Sequence, residues 1–302
     1  MRAFASFLGL FLVAFVVVAL FTYPAWLLLH PHFDFPFHRI GERIGMLGLL
    51  VGFVLVARRL GLADRASLGY GAPRREFVRE MSIGLGLGAA TMLAVVGIMA
   101  ALGLLEWRSG AELGAGALAQ LIVARLVSGL AVAFIEETFL RGALFTGIQR
   151  EAGTRAAIVL TAVLYSATHF FGKFRIPPEL VTAWSGVDLL AGTLHSFANP
   201  LGMVDAFLCL AAVGVVLALV RAVTGNIAAC LGLHAGWVWV MLVAHELSEP
   251  VEASPLRFLL SRFDGFVGWL VLAWTVVMGI GLWRFYSGRR GHAASGIRSN
   301  VC

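Results

Sequence analysis

Apolar residues along this chain fall in runs of about twenty, the length a helix needs to cross a hydrocarbon core. Eight such runs lie near 3–29, 41–57, 81–105, 116–149, 155–171, 202–220, 226–247 and 264–286. Arg2 ahead of the first suggests a signal peptide. Its apolar stretch is about twice the usual length, however, and Thr22-Tyr23-Pro24 stands where a small-x-small cleavage site would follow. The first run is therefore read as a span. The run 116–149 exceeds one crossing and is expected to tilt or emerge at one end. The pattern predicts an all-α, polytopic bundle of about eight transmembrane helices in one membrane domain. Within it, helices 1–3 and an arginine-rich loop occupy 1–115, a core of helices 4–7 occupies 116–250, and a last helix with its tail occupies 251–302.

Composition agrees. The chain has 302 residues, 60% of them hydrophobic and only 13% charged, against about a quarter charged in soluble domains. The net charge of +6 is read as topology. Arg58, Arg59, Arg65, Arg74, Arg75 and Arg79 sit between spans two and three. Alternation puts Arg2, Arg150, Arg155, Arg221, Arg284, Arg289, Arg290 and Arg298 on the same side. Only Arg39, Arg43, Arg108, Lys173, Arg175, Arg257 and Arg262 fall opposite. Basic loops stay in the cytoplasm, so both termini are expected there. No basic helix with interleaved aromatics supports nucleic-acid binding. Cys209, Cys230 and Cys302 lack metal-site spacing and read as packing residues. The use of arginine over lysine, with abundant alanine and glycine, points to a GC-rich bacterial genome and hence to a plasma (inner) membrane.

Three spans carry groups that an anchor would not tolerate: Glu136, Glu137 and Arg141 in the fourth, His169 in the fifth, and His234 in the seventh. Unrelieved, the two carboxylates and the arginine would oppose insertion by roughly 8–10 kcal/mol. They must pair and face a protein-lined cavity. Glu137 and Arg141, four apart, share a face and are expected to form a structural ion pair. Glu136 has no partner on its own helix, and its face runs through Gly129, Val132 and Ala133, small enough to admit another helix. Counted from Arg150, Arg155 and Arg221 as one boundary, Glu136, His169 and His234 all lie about 20 Å deep. They can meet.

One glutamate and two histidines suit water activation. The carboxylate takes the proton, one imidazole orients the water, and the other donates to the oxyanion. The same trio also resembles a catalytic His₂Glu zinc set with an open fourth position, and the residues alone leave both open.

Glu136-Glu137-x-x-x-Arg141 resembles the EExxxR motif of the CAAX-prenyl-endopeptidase and bacteriocin-processing family. Tyr165-x-x-x-His169 is similar to its second motif, and Gly225-Asn226-Ile227 leading to His234 to its third. The resemblance covers roughly 117–247. It implies an eight-helix membrane core and peptide-bond hydrolysis, with Glu136 as base, His169 orienting water and His234 in the oxyanion site. Such enzymes cleave prenylated tails or process and resist bacteriocins. They are described both as zinc metalloproteases and as metal-independent glutamate enzymes. The expected partners are therefore membrane lipid and a peptide with a membrane-associated, lipidated segment. The third motif usually continues to an Asn or Asp, where this chain has Val238. Trp237 is expected to supply its indole N–H instead.

Two other functions compete: a proton-coupled transporter, since buried Glu, His and Arg also mark ion pathways, and a non-catalytic immunity or scaffold protein. Arg125 is expected to snorkel outward. His30, His32, His38, His195 and His245 are placed in or near outer loops, in surface or packing roles. The long 172–200 loop is read as re-entrant or as a cover for the cavity.

Overall fold

A computed structural model describes residues 1–108, 114–171, 174–198 and 200–299. Lys173, Asn199 and Cys302 lie outside the described residues, as do the side chains of Arg290 and Arg298. Nine α-helices account for most of the described chain: α1 (Arg2–Leu29), α2 (Phe37–Arg59), α3 (Arg74–Ala101), α4 (Ala115–Glu137), α5 (Phe145–Thr168), α6 (Ser185–Leu194), α7 (Val204–Thr224), α8 (Ala228–Leu247) and α9 (Trp269–Ser299). The only strands among the described residues, β1 (Leu105–Trp107) and β2 (Ser248–Pro250), pair antiparallel and tie the end of α3 to the end of α8.

Seven helical segments of the described chain are long and apolar enough to cross a membrane. Large apolar side chains face outward on several of them, among them Leu12, Val16 and Leu20 of α1, Leu47 and Leu50 of α2, and Val277 of α9. Water would penalise that surface and hydrocarbon wets it at no cost. The chain is an integral multi-pass membrane protein.

One segment, Ala115–Thr168, is continuous over 54 residues, yet it does not run straight. Gly153 takes φ +84° and ψ 170°, outside the helical region. A straight helix would hold Arg141 and Tyr165 about 36 Å apart, but the Arg141 guanidinium lies 4.7 Å from the centre of the Tyr165 ring. The segment therefore folds back at this glycine into two arms, and the break expected between 149 and 155 falls there. Between α4 and the bend, Thr138–Leu144 forms a π-helical turn, which a search for a 3.6-residue period does not anticipate.

Glycines set the interhelical distances. A Cβ on Gly84 of α3 would lie 2.6 Å from the Ala229 carbonyl oxygen, and one on Gly236 of α8 would lie 2.6 Å from that of Leu85. Gly129 of α4 meets the other side of α8, 2.8 Å from the Ala235 carbonyl by the same measure. Backbones in such contact replace the hydrophobic drive that lipid does not supply. Thus α8 is clamped between α3 and α4, and every residue from Ala228 to Gly236 is buried.

Two expectations need correction. The 172–200 loop does not cover the central cavity: none of its described residues lines that space. Instead α6 lies against α1 and α2, with Gly186 on the Ala19 backbone and Leu189 against Gly41, because its small and apolar residues find a packed surface there. Arg221 is no loop residue marking a boundary. It is 6% exposed and donates from Nε to the Arg141 carbonyl at 2.9 Å.

Candidate active site

Glu136 and Glu137 are the last two residues of α4, at the junction with the π-turn. Widening the helix there releases carbonyls from the regular ladder, and Arg221 uses the one on Arg141. The Thr138 hydroxyl secures the junction, donating to the Phe134 carbonyl at 2.6 Å and meeting the Tyr70 hydroxyl at 2.5 Å.

Glu137 and Arg141 are both fully buried, and Nη1 of Arg141 donates to Oε1 of Glu137 at 3.0 Å. Such a pair persists in a low-dielectric interior only with further partners. Nη2 donates to the Gly214 carbonyl at 3.2 Å, and the guanidinium rests on the Tyr165 ring. Gly214 is available because α7 meets the Ala162 backbone of α5 at that glycine.

His234 is 2% exposed, and its Nδ1 lies 2.8 Å from the same Oε1 of Glu137. A carboxylate at that distance makes Nδ1 the donor and fixes the ring's orientation. Nε2 is thereby aimed at Glu136, whose Oε2 stands 3.9 Å away. This oxygen is buried and has no hydrogen-bond partner among the described residues.

His169 caps the C-terminal end of α5, with Nδ1 2.8 Å from the Tyr165 carbonyl. Donation to that carbonyl leaves the Nε2 lone pair free to accept a hydrogen bond from water. The Tyr165 ring joins the two histidines, its centre 4.6 Å from that of His169 and 5.9 Å from that of His234. Tyr165, His169 and His234 line one cavity of about 220 Å³ together with Trp237, Val238 and Asp264. Val132, one turn before Glu136, closes part of its wall, and most of the remaining lining is apolar. Glu136, Glu137, Arg141, Tyr165, His169 and His234 thus converge from α4, the π-turn, α5 and α8.

Two assignments made from sequence do not survive. The indole N–H of Trp237 is spent on the Thr91 hydroxyl, 3.0 Å away, so it is not aimed at an oxyanion. Nor do Glu136, His169 and His234 form a zinc site: among the described residues no three His, Cys, Asp or Glu side chains gather to hold a metal ion. Nδ1 of His169 meets a carbonyl and Nδ1 of His234 meets Glu137, which leaves Nε2 of each ring as its remaining nitrogen. The residues present do not fit the metal set.

Two residues escaped the sequence reading. Arg221 looked like an ordinary loop charge. Asp264, a single carboxylate at the edge of the last apolar run, gave no signal beyond the Asp264-Gly265 pair of a turn. Its Oδ1 accepts the backbone N–H groups of Phe266 and Val267, each at 2.9 Å. Burial nevertheless pushes its carboxyl up to about 6. Elsewhere, Arg125 is half-exposed and pairs with Glu246, while His30 stacks on Trp26 and His245 makes a tilted ring contact with Phe266.

Residues 118–240 match the family described as Rce1-like, type II CAAX prenyl endopeptidase. No curated protein and no solved structure matches the chain. That stretch, which runs from α4 into α8 and carries Glu136, Glu137, Arg141, Tyr165, His169 and His234, is similar to the Rce1-like family of type II CAAX prenyl endopeptidases.

Proposed function

We propose that this protein hydrolyses a peptide bond at the membrane by glutamate-activated water, on CAAX-type or bacteriocin-type substrates whose membrane-associated segment is lipidated. The observation that carries the reading is the unpartnered, buried Oε2 of Glu136 facing Nε2 of His234. A free carboxylate oxygen beside an oriented imidazole is costly as packing and useful as a base.

Glu136 takes a proton from a water that His169 orients through Nε2, and the water oxygen attacks the scissile carbonyl carbon. Nε2–H of His234 faces the developing oxyanion, so His234 carries both ring protons at this stage. Glu137 supplies the counter-charge, itself balanced by Arg141. When the tetrahedral intermediate collapses, the C–N bond breaks and the proton held by Glu136 passes to the leaving nitrogen. Counting both arms about Gly153 separately gives eight crossings, with both termini cytoplasmic in a bacterial inner membrane.

The test uses purified protein in liposomes and a farnesylated CaaX peptide. Wild type releases the terminal tripeptide. Glu136→Gln lowers the rate by about 10²–10⁴-fold, the usual contribution of a positioned base, with an unchanged melting temperature. Cleavage by Glu136→Gln at the wild-type rate removes Glu136 from the mechanism, and a wild type that cleaves no lipidated peptide removes the peptidase reading.

A further inference from the structure

Asp264 enters the cavity from the loop between α8 and α9, outside the stretch that matches the family. Both of its recorded hydrogen bonds fall on Oδ1, leaving Oδ2 without one among the described residues. No arginine or lysine lines this cavity, and His234 in its wall is already paired with Glu137. Asp205, close enough to oppose ionisation of Asp264, adds a second negative charge behind it. Arg257 and Arg262 line a separate basin of about 730 Å³, where Arg257 is bound to Glu252.

A turn-capping role accounts for Oδ1 alone. Asn or Ser would cap those N–H groups as well, without burying a carboxylate that costs free energy when it ionises. The surplus charge faces a space able to hold part of a peptide, in the same lining as Val238, His169 and His234.

We infer that Asp264 is a substrate-contacting carboxylate that receives a basic side chain of the peptide held in this cavity; the inference rests on the peptidase reading of the site. A cation arriving there supplies the charge partner that the wall lacks, and the preference for it is a specificity that the matched stretch does not encode.

The experiment separates the two readings. Fluorescent farnesylated CaaX peptides carrying Lys, Gln or Glu at single positions around the scissile bond are titrated onto Glu136→Gln protein in nanodiscs at neutral pH. At one position the Lys peptide should bind about tenfold or more tightly than the Glu peptide, as expected for a desolvated charge contact. Adding Asp264→Asn, or Asp264→Ser as a second cap-preserving change, should abolish that difference. Equal binding of Lys and Glu peptides at every position overturns the inference, as does a Lys preference that survives both variants or an absence of binding. Wild type is assayed for cleavage in parallel. Lys-selective binding without cleavage leaves Asp264's role standing and removes the peptidase reading, and cleavage with no charge preference does the reverse.

Discussion

Oε1 of Glu137 accepts from both Arg141 and His234, so truncating this side chain strands a buried guanidinium and an imidazole together. Breaking a buried charge pair on one side costs about 3–5 kcal/mol. Glu137→Ala should therefore melt well below wild type in detergent, whereas Glu137→Gln, which keeps an acceptor oxygen, should lose much less. Equal melting of Glu137→Ala and wild type would show that the pair carries no weight. The i,i+4 spacing made the Glu137–Arg141 pair legible in the sequence. Which of two adjacent glutamates meets His234 through Nδ1 was not legible, because that depends on how α8 approaches, and Gly129 sets the approach. The direction of the Trp237 indole was hidden for a similar reason: Thr91 lies on another helix.

Among the elements, the α3–α8 contact positions His234. A Cβ on Gly232 would press on the Met81 carbonyl and come within 2.6 Å of the Leu85 nitrogen, both backbone atoms that cannot rotate away. Gly232→Ala should push α8 off α3, lowering the melting temperature and the activity together. Gly86→Ala is the control. Nothing lies within 4 Å of a Cβ there, and removing a mid-helix glycine typically stabilises by about 0.5–1 kcal/mol. Comparable effects from both substitutions, read by thermal melting and peptide cleavage, would show that the close approach does not hold α8. Helix existence was readable from the apolar runs. The π-turn was not, since one extra residue in a turn leaves the hydrophobic pattern almost unchanged.

For the whole molecule, Asp264 makes stability depend on pH. Its folded carboxyl is raised to about 6 by burial, so folding is favoured in acid and that stabilisation is lost as pH rises from the ordinary aspartate range through about 6. The shift is worth up to ~3 kcal/mol. Asp264→Asn should raise the melting temperature above pH 6 and leave it nearly unchanged near pH 4. A variant that tracks wild type at both ends of this range would show that the carboxylate is not destabilised by its site. The overall architecture was foreseeable because lipid admits few designs: runs of about twenty apolar residues must be helices. The docking of α6 against α1 and the buried place of Arg221 were not foreseeable, since each depends on a surface supplied by distant parts of the chain.

The bend at Gly153 turns the pairing of Glu136 with His169 into a matter of counting. Each residue stands on its own arm from that one pivot, Glu136 17 residues before it and His169 16 after it. Inserting or deleting one residue in either arm would swing its reactive group about 100° around the axis and shift it about 1.5 Å, while the opposite arm stayed in register. The length of each arm is thus constrained as tightly as the identity of the residue at its top, even where the intervening side chains only meet lipid.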